Sequence, residues 1–255
     1  MKDMPVDAYH TPVLAAEVVD LLRDAKLVLD GTLGGGGHAE ALLTSGVSRV
    51  IGVDRDPEAL DAARRRLAPF ENTGRFRAIL ANYADVAASG DLAGEQLDGV
   101  LLDLGVSSRH FDATERGFSF REGAPLDMRM GEGAVTAASL LQSTDESTLA
   151  RIFREYGDER RAGRLARTIV RRRATETFAT SDDLVRAIRG ALGPRTGPAD
   201  FARLFQAVRI AVNDEIDGLR RALPLLRDCL APGGVLLVIT YHSGEDRLVK
   251  HTFRD

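Results

Sequence analysis

Three aspartates close three apolar runs in this chain: Leu27-Val28-Leu29-Asp30, Val50-Ile51-Gly52-Val53-Asp54 and Val100-Leu101-Leu102-Asp103. After the first comes a loop with five glycines, Gly31 and Gly34 to Gly37, leading into His38. Glycine has no Cβ, so such a loop can pass flush against a ligand and present backbone amides to it, at an entropic cost that a plain connector does not need. Asp54 follows Asp30 by 24 residues, near the separation at which a carboxylate on a second strand tip grips ribose hydroxyls. The order of strand, glycine loop, helix, strand and acid therefore reads as a pocket for a nucleoside-containing cofactor rather than a flexible turn. Gly34, Gly36 and Ala39 also satisfy the loose dinucleotide pattern G-x-G-x-x-A, which leaves a nicotinamide-dependent oxidoreductase as an alternative.

The elements that must position these residues alternate. Leu27 to Asp30, Val50 to Asp54, Phe76 to Leu80 and Leu97 to Leu104 read as strands, with helices from about His38 and from Pro57 through Leu67 between them. That rhythm predicts a mostly parallel α/β sheet, in which ligands bind beyond the carboxyl ends of the strands. The rim so defined holds Asp30 with the glycine loop, Asp54, Asn82-Tyr83, Asp103 with Ser107 and Ser108, and His242-Ser243. From about Ser107 the rhythm stops. Residues 136 to 192 read as helical, apolar at Leu140, Leu141, Leu149, Ile152 and Phe153 and with Ser147 or Thr148 as caps, which predicts an all-helical insertion. A long helix from about Phe201 to Leu230, broken near Pro224, then leads back to a strand at Val235 to Ile239. The expected division is a cofactor-binding core of residues 1–108 and 201–255 and a helical insertion of 109–200.

With 255 residues, 44% of them hydrophobic, the chain can bury a full core, and no run approaches the roughly 18 apolar residues of a membrane span. A cytoplasmic protein is expected. The lone Cys229 sits among leucines and reads as a small buried hydrophobe, and no His, Cys and carboxylate cluster has metal-ligand spacing, so no metal is expected. A net charge of −4 means that any grip on nucleic acid must be local. Arg160, Arg164, Arg167 and Arg171 supply such a patch, since they fall along one helix face with few interleaved acids and suit phosphates.

Several runs occur together and in order: His10-Thr11-Pro12-Val13-Leu14, Asp30-Gly31-Thr32 with Gly36-Gly37-His38, Asp54-Arg55-Asp56-Pro57, Leu102-Asp103-Leu104-Gly105-Val106-Ser107-Ser108, Glu115-Arg116-Gly117-Phe118-Ser119-Phe120, Pro125-Leu126-Asp127-Met128-Arg129-Met130, Val212-Asn213-Asp214-Glu215 and His242-Ser243 with Glu245-Asp246-Arg247. Across nearly its whole length the chain thus resembles the bacterial small-subunit ribosomal RNA cytosine-N4 methyltransferase family, which uses S-adenosylmethionine. The resemblance implies a Rossmann-like class I methyltransferase sheet with a helical, RNA-recognising insertion, and small-subunit ribosomal RNA or the assembled subunit as partner. It places cofactor contacts on Gly36, Gly37, His38, Asp54, Asp103, Tyr83 (where relatives usually have Phe) and His110, which with Arg109 replaces a Pro-Gln pair. Relatives continue into further strands beyond the His-Ser segment, so the C-terminal edge strands of the sheet are expected to be missing. For catalysis, location and chemistry nominate Asp103 to hold the amine, His242 as proton acceptor and Asn213 as orienting group. A non-catalytic RNA-binding relative is the remaining alternative.

Overall fold

The computed structural model describes residues 12–105, 114–131 and 133–254. His10, Ser107, Ser108, Arg109 and His110 lie outside the described residues. The chain divides into two compact units, one running to Gly105 and resuming at Ile216, the other spanning Val106–Glu215.

In the first unit, α1 (Ala15–Leu22), β1 (Leu27–Asp30), α2 (Gly37–Ser45), β2 (Arg49–Asp54), α3 (Pro57–Glu71), β3 (Phe76–Leu80), the single turn α4 (Tyr83–Val86) and β4 (Leu97–Asp103) follow in order. The sheet order is β3-β2-β1-β4-β5, where β5 is Leu230–Ile239, and every pair is parallel. Alternation along the strands explains why both faces are covered. Leu27, Leu29, Ile51, Val53, Val100 and Leu102 enter one core, with Leu219, Leu223 and Leu226 of α10 (Glu215–Asp228) and Val249 of α11 (Ser243–Thr252). Val28, Val50 and Leu101 point to the opposite core, against Val18, Leu22, Leu42, Leu60 and Leu67 of α1 to α3. Asp56 caps α3 by accepting from the Glu58 amide, with Pro57 in the first turn where its missing N–H costs nothing.

The second unit holds α5 (Ala137–Ser143), α6 (Glu146–Glu155), α7 (Ala162–Arg172), α8 (Ser181–Leu192) and α9 (Pro198–Asn213) around their own core, with Leu141, Phe153, Leu165, Ile169, Leu184 and Ile188 fully buried. The cap of α6 is Asp145, not Ser147 or Thr148. Three boundaries differ from expectation. The long helix breaks at Asp214, which takes a left-handed conformation (φ 53°), while Pro224 sits inside α10. The division consequently falls at 215/216 rather than 200/201, because Phe201, Leu204, Phe205 and Val208 of α9 bury themselves in the helical core. The last strand also starts at Leu230 instead of Val235, with an irregularity opposite Leu97 and Gly99 that absorbs Pro232-Gly233-Gly234. Among the described residues, no helix is long and apolar enough to cross a membrane.

Candidate cofactor site

β1 and β4 are neighbours, yet the chain leaves β1 toward β2 and β3 on one side and reaches β5 on the other. Their carboxyl ends therefore flank the switch point of the sheet, where a crevice opens in folds of this kind. Asp30 and Asp103 end these two strands and Asp54 ends β2.

The loop after β1 is wired to its neighbours. The Gly31 amide donates to the Leu101 carbonyl (2.9 Å), Gly34 N–H donates to Asp54 Oδ2 (2.8 Å), and Thr32 Oγ1 accepts from the Asp103 amide (2.6 Å). At Gly36 the backbone needs φ 79°, and a Cβ would stand 3.0 Å from the Leu67 side chain, so the loop lies tight against α3. Gly37 opens α2. The other Asp54 oxygen accepts from the Asp56 amide (2.9 Å), which fixes this carboxylate at the strand tip. Tyr83, half-buried, starts α4 after Asn82 has capped it, and its Cβ lies 3.2 Å from where a Gly31 Cβ would be.

His38 is buried on α2 with Nε2 2.8 Å from the Val13 carbonyl. A carbonyl only accepts, so Nε2 carries the hydrogen, and Nδ1 faces Asp103 Oδ2 across 3.8 Å. Asp103 Oδ1 accepts from the Tyr241 hydroxyl (2.8 Å). Burial raises the Asp103 carboxyl above the usual range, opposed by the Tyr241 hydrogen bond and by His38. His242 is turned into the first turn of α11. Its Nδ1 accepts from the Glu245 amide, and its buried Nε2 lies 3.2 Å from Glu245 Oε1 but off the hydrogen-bonding direction.

Asp30 is 1% exposed; its Oδ1 accepts from Thr32 N–H (3.2 Å) while its Oδ2 is buried without a hydrogen-bond partner. Burial pushes this carboxyl from 3.8 up to about 7, with His38 pulling it down. The folded chain therefore binds this proton more tightly than the unfolded one, so the site costs nothing at pH below the unfolded pKa. The cost grows as pH rises, and is complete above the folded pKa. Asp30→Asn is expected to flatten unfolding stability between about pH 4 and pH 8, and at pH 8 to exceed the parent by up to about 4 kcal/mol, as three pKa units imply. Urea unfolding of the two proteins across that range checks it; parallel pH curves would refute the assignment.

Asn213 ends α9 in the helical unit, where its amide is spent on backbone: Oδ1 accepts from Met130 N–H (2.9 Å), and Nδ2 donates to the Met128 (2.7 Å) and Arg209 (3.0 Å) carbonyls. That places it as a clamp on a loop in which Met128 is itself left-handed (φ 62°), not as a free orienting group. Sequence reasoning gave no role to Tyr241, nor to Thr32 and Glu245, which it quoted only within the family runs. For Thr32 and Tyr241 the place just after a strand could have marked them, while Glu245 lies in the first turn of α11. Of the arginine stripe, Arg164, Arg167 and Arg171 lie exposed on α7 and Arg160 precedes it, with Arg167 paired to Glu146 at 3.3 Å.

A parallel sheet in this order, a glycine loop after β1 and carboxylates on three strand tips define a Rossmann-like α/β protein of the class I methyltransferase type. The match to family models is to one described as the MraW methylase family, over residues 7–255, and the chain belongs to that family. It is 62% identical over 248 residues to Ribosomal RNA small subunit methyltransferase H of Gemmatimonas aurantiaca, covering 97% of this chain and 78% of that protein. Like-named proteins of Heliobacterium modesticaldum and Mycolicibacterium gilvum are 47% and 48% identical, over 97% of this chain and 82% and 69% of theirs.

Proposed function

We propose that this protein transfers a methyl group from S-adenosylmethionine to the exocyclic N4 amine of a cytidine in small-subunit ribosomal RNA. The observation that carries this reading is the set of acids ending β1, β2 and β4 beside the glycine loop. Asp54 and Asp103 on tips either side of the buried Asp30 suit a ligand bearing sulfonium and ammonium charge, whereas the nicotinamide alternative would bring an anionic pyrophosphate. The residues fit the cofactor in kind: Gly36 and Gly37 allow close backbone approach, His38 packs beneath them, Asp54 accepts from ribose hydroxyls, Tyr83 stacks on the adenine, and Asp103 borders the reacting end. His110 adjoins this set by sequence alone.

When bound, S-adenosylmethionine supplies an electrophilic methyl group. The protein's part is positioning and exclusion of water. A cytosine amine is a weak nucleophile because its lone pair is delocalised into the ring, so an acceptor must hold its protons and aim the lone pair. Asp103, anchored through its main chain to Thr32 and through Oδ1 to Tyr241, has Oδ2 for that work. His242, nominated as proton acceptor, has Nδ1 occupied by the Glu245 amide and its hydrogen on Nε2, so Asp103 Oδ2 is the acceptor left for the released proton. The helical unit serves RNA recognition, with Arg160, Arg164, Arg167 and Arg171 holding phosphates flanking an unpaired or flipped base. Such an acceptor places the work in the cytoplasm.

The test is methyl transfer from labelled S-adenosylmethionine to small ribosomal subunits lacking the modification, read by mass spectrometry of the digested nucleosides. N4-methylcytidine is expected. Cofactor binding without any methylated nucleoside would point to the non-catalytic RNA-binding alternative.

A further inference from the structure

We propose that Tyr241 is a positioning residue for Asp103: its phenol donates to Oδ1 and so fixes which oxygen of that carboxylate remains for ligand. This rests on the reading of Asp103 as a site acid and deepens it.

The tyrosine is itself held at three points. Its hydroxyl donates to Asp103 Oδ1 (2.8 Å), its backbone N–H donates to Oε2 of the buried Glu245 (2.9 Å), and its ring lies against Gly105, where a Cβ would come within 3.3 Å of Cδ2. Its place follows from the sheet, since Tyr241 stands two residues beyond Ile239, the register partner of Asp103. Main-chain bonds already fix the strand end, from Asp103 N–H to Thr32 Oγ1 and from Leu104 N–H to the Ile239 carbonyl. What remains to be set is rotation of the carboxylate. The phenol sets it, leaving Oδ2 on the His38 side. The residue is nevertheless 55% exposed, more than packing alone would select for an aromatic side chain.

The groups acting on Asp103 are His38 from α2, Asp30 from β1, Tyr241 from the turn after β5 and Glu245 from α11. Of these the phenol and His38 favour the carboxylate, and the two acids oppose it. Removing the phenol therefore moves protonation of Asp103 to higher pH, and any binding that needs the carboxylate weakens most on the acid side.

The experiment measures S-adenosylhomocysteine affinity calorimetrically for the parent, Tyr241→Phe, Asp103→Ala and the double variant. Phenylalanine keeps the ring, so the fold is retained, and thermal unfolding verifies this. Tyr241→Phe is expected to bind about fivefold more weakly near neutral pH, as for loss of one charge-assisted bond at a half-exposed site. The gap should widen as pH falls, and it should vanish in the Asp103→Ala background. An equal loss in both backgrounds, or a gap that ignores pH, overturns the proposal while leaving Asp103 in the site. Parent-like affinity in Asp103→Ala alone would remove Asp103 from the site, and Tyr241's role with it.

Discussion

Asp54→Ala is expected to weaken S-adenosylhomocysteine binding roughly a hundredfold, about 3 kcal/mol, and to lower the thermal stability of the ligand-free protein as well, since two backbone amides lose their acceptor. Two effects add. A carboxylate accepting from ribose hydroxyls makes charge-assisted bonds of about 1.5 kcal/mol or more each. The same side chain holds the glycine loop through Gly34 N–H and the turn into α3 through the Asp56 amide, so its loss also frees the backbone that must close on the ligand. Asp54→Asn should fall between the two, since an amide oxygen can still accept but carries no charge. Calorimetric titration decides the matter. An affinity within threefold of the parent would show that the tip of β2 carries no ribose contact.

The second large effect lies in the helical unit. Gly117 is buried with φ 73°, and a Cβ there would stand 2.0 Å from the Pro125 carbonyl oxygen and 2.9 Å from the Asp127 amide. No side chain fits without displacing backbone. Gly117→Ala combines left-handed strain of about 1–2 kcal/mol with that collision, and is expected to cost about 3–5 kcal/mol. For a chain of this size that lowers the melting temperature by roughly 10 °C. Gly123→Ala is the control. It has the same φ of 73° but nothing within 4 Å, so it should suffer the strain alone. Scanning calorimetry of both variants gives the comparison, and equal losses would mean that close approach of the two segments is not what fixes the glycine. The segment is otherwise tightly held: Arg116 donates to the Arg129 and Met130 carbonyls and accepts from the Met128 amide, and Asn213 grips Met128 and Met130.

Local pattern carried much of this into the sequence. Apolar runs closed by aspartate gave β1, β2 and β4, and since ligand chemistry gathers at strand ends, Asp30, Asp54 and Asp103 were nominated with them. What pattern could not carry was contact between distant residues. The Tyr241 bond to Asp103 joins positions 138 apart, and the Asn213 clamp spans more than 80, so neither has a periodic or local signature. Asn213 was read as a polar group awaiting a substrate because nothing nearby in sequence shows its amide already spent. The helix break at Asp214 was missed for a related reason: a left-handed aspartate has no glycine to announce it, whereas Pro224 announces a break that does not occur. His242 was read as a base from its place after a strand, while its capping of α11 depended on how the chain turned next.

The insertion bears on how this molecule assembles over time. β4 and β5 are hydrogen-bonded neighbours, yet more than a hundred residues of chain separate them, most of them in the helical unit. During synthesis the edge of β4 must wait, unpaired, while that unit emerges and folds on its own local contacts. Joining the ends of so long a span costs only logarithmically more than closing a short loop. A prefolded helical unit reduces even that. The slow, collapse-prone interval in this protein's birth is thus the wait for β5, and substitutions that delay closure of the helical core lengthen it without touching the sheet.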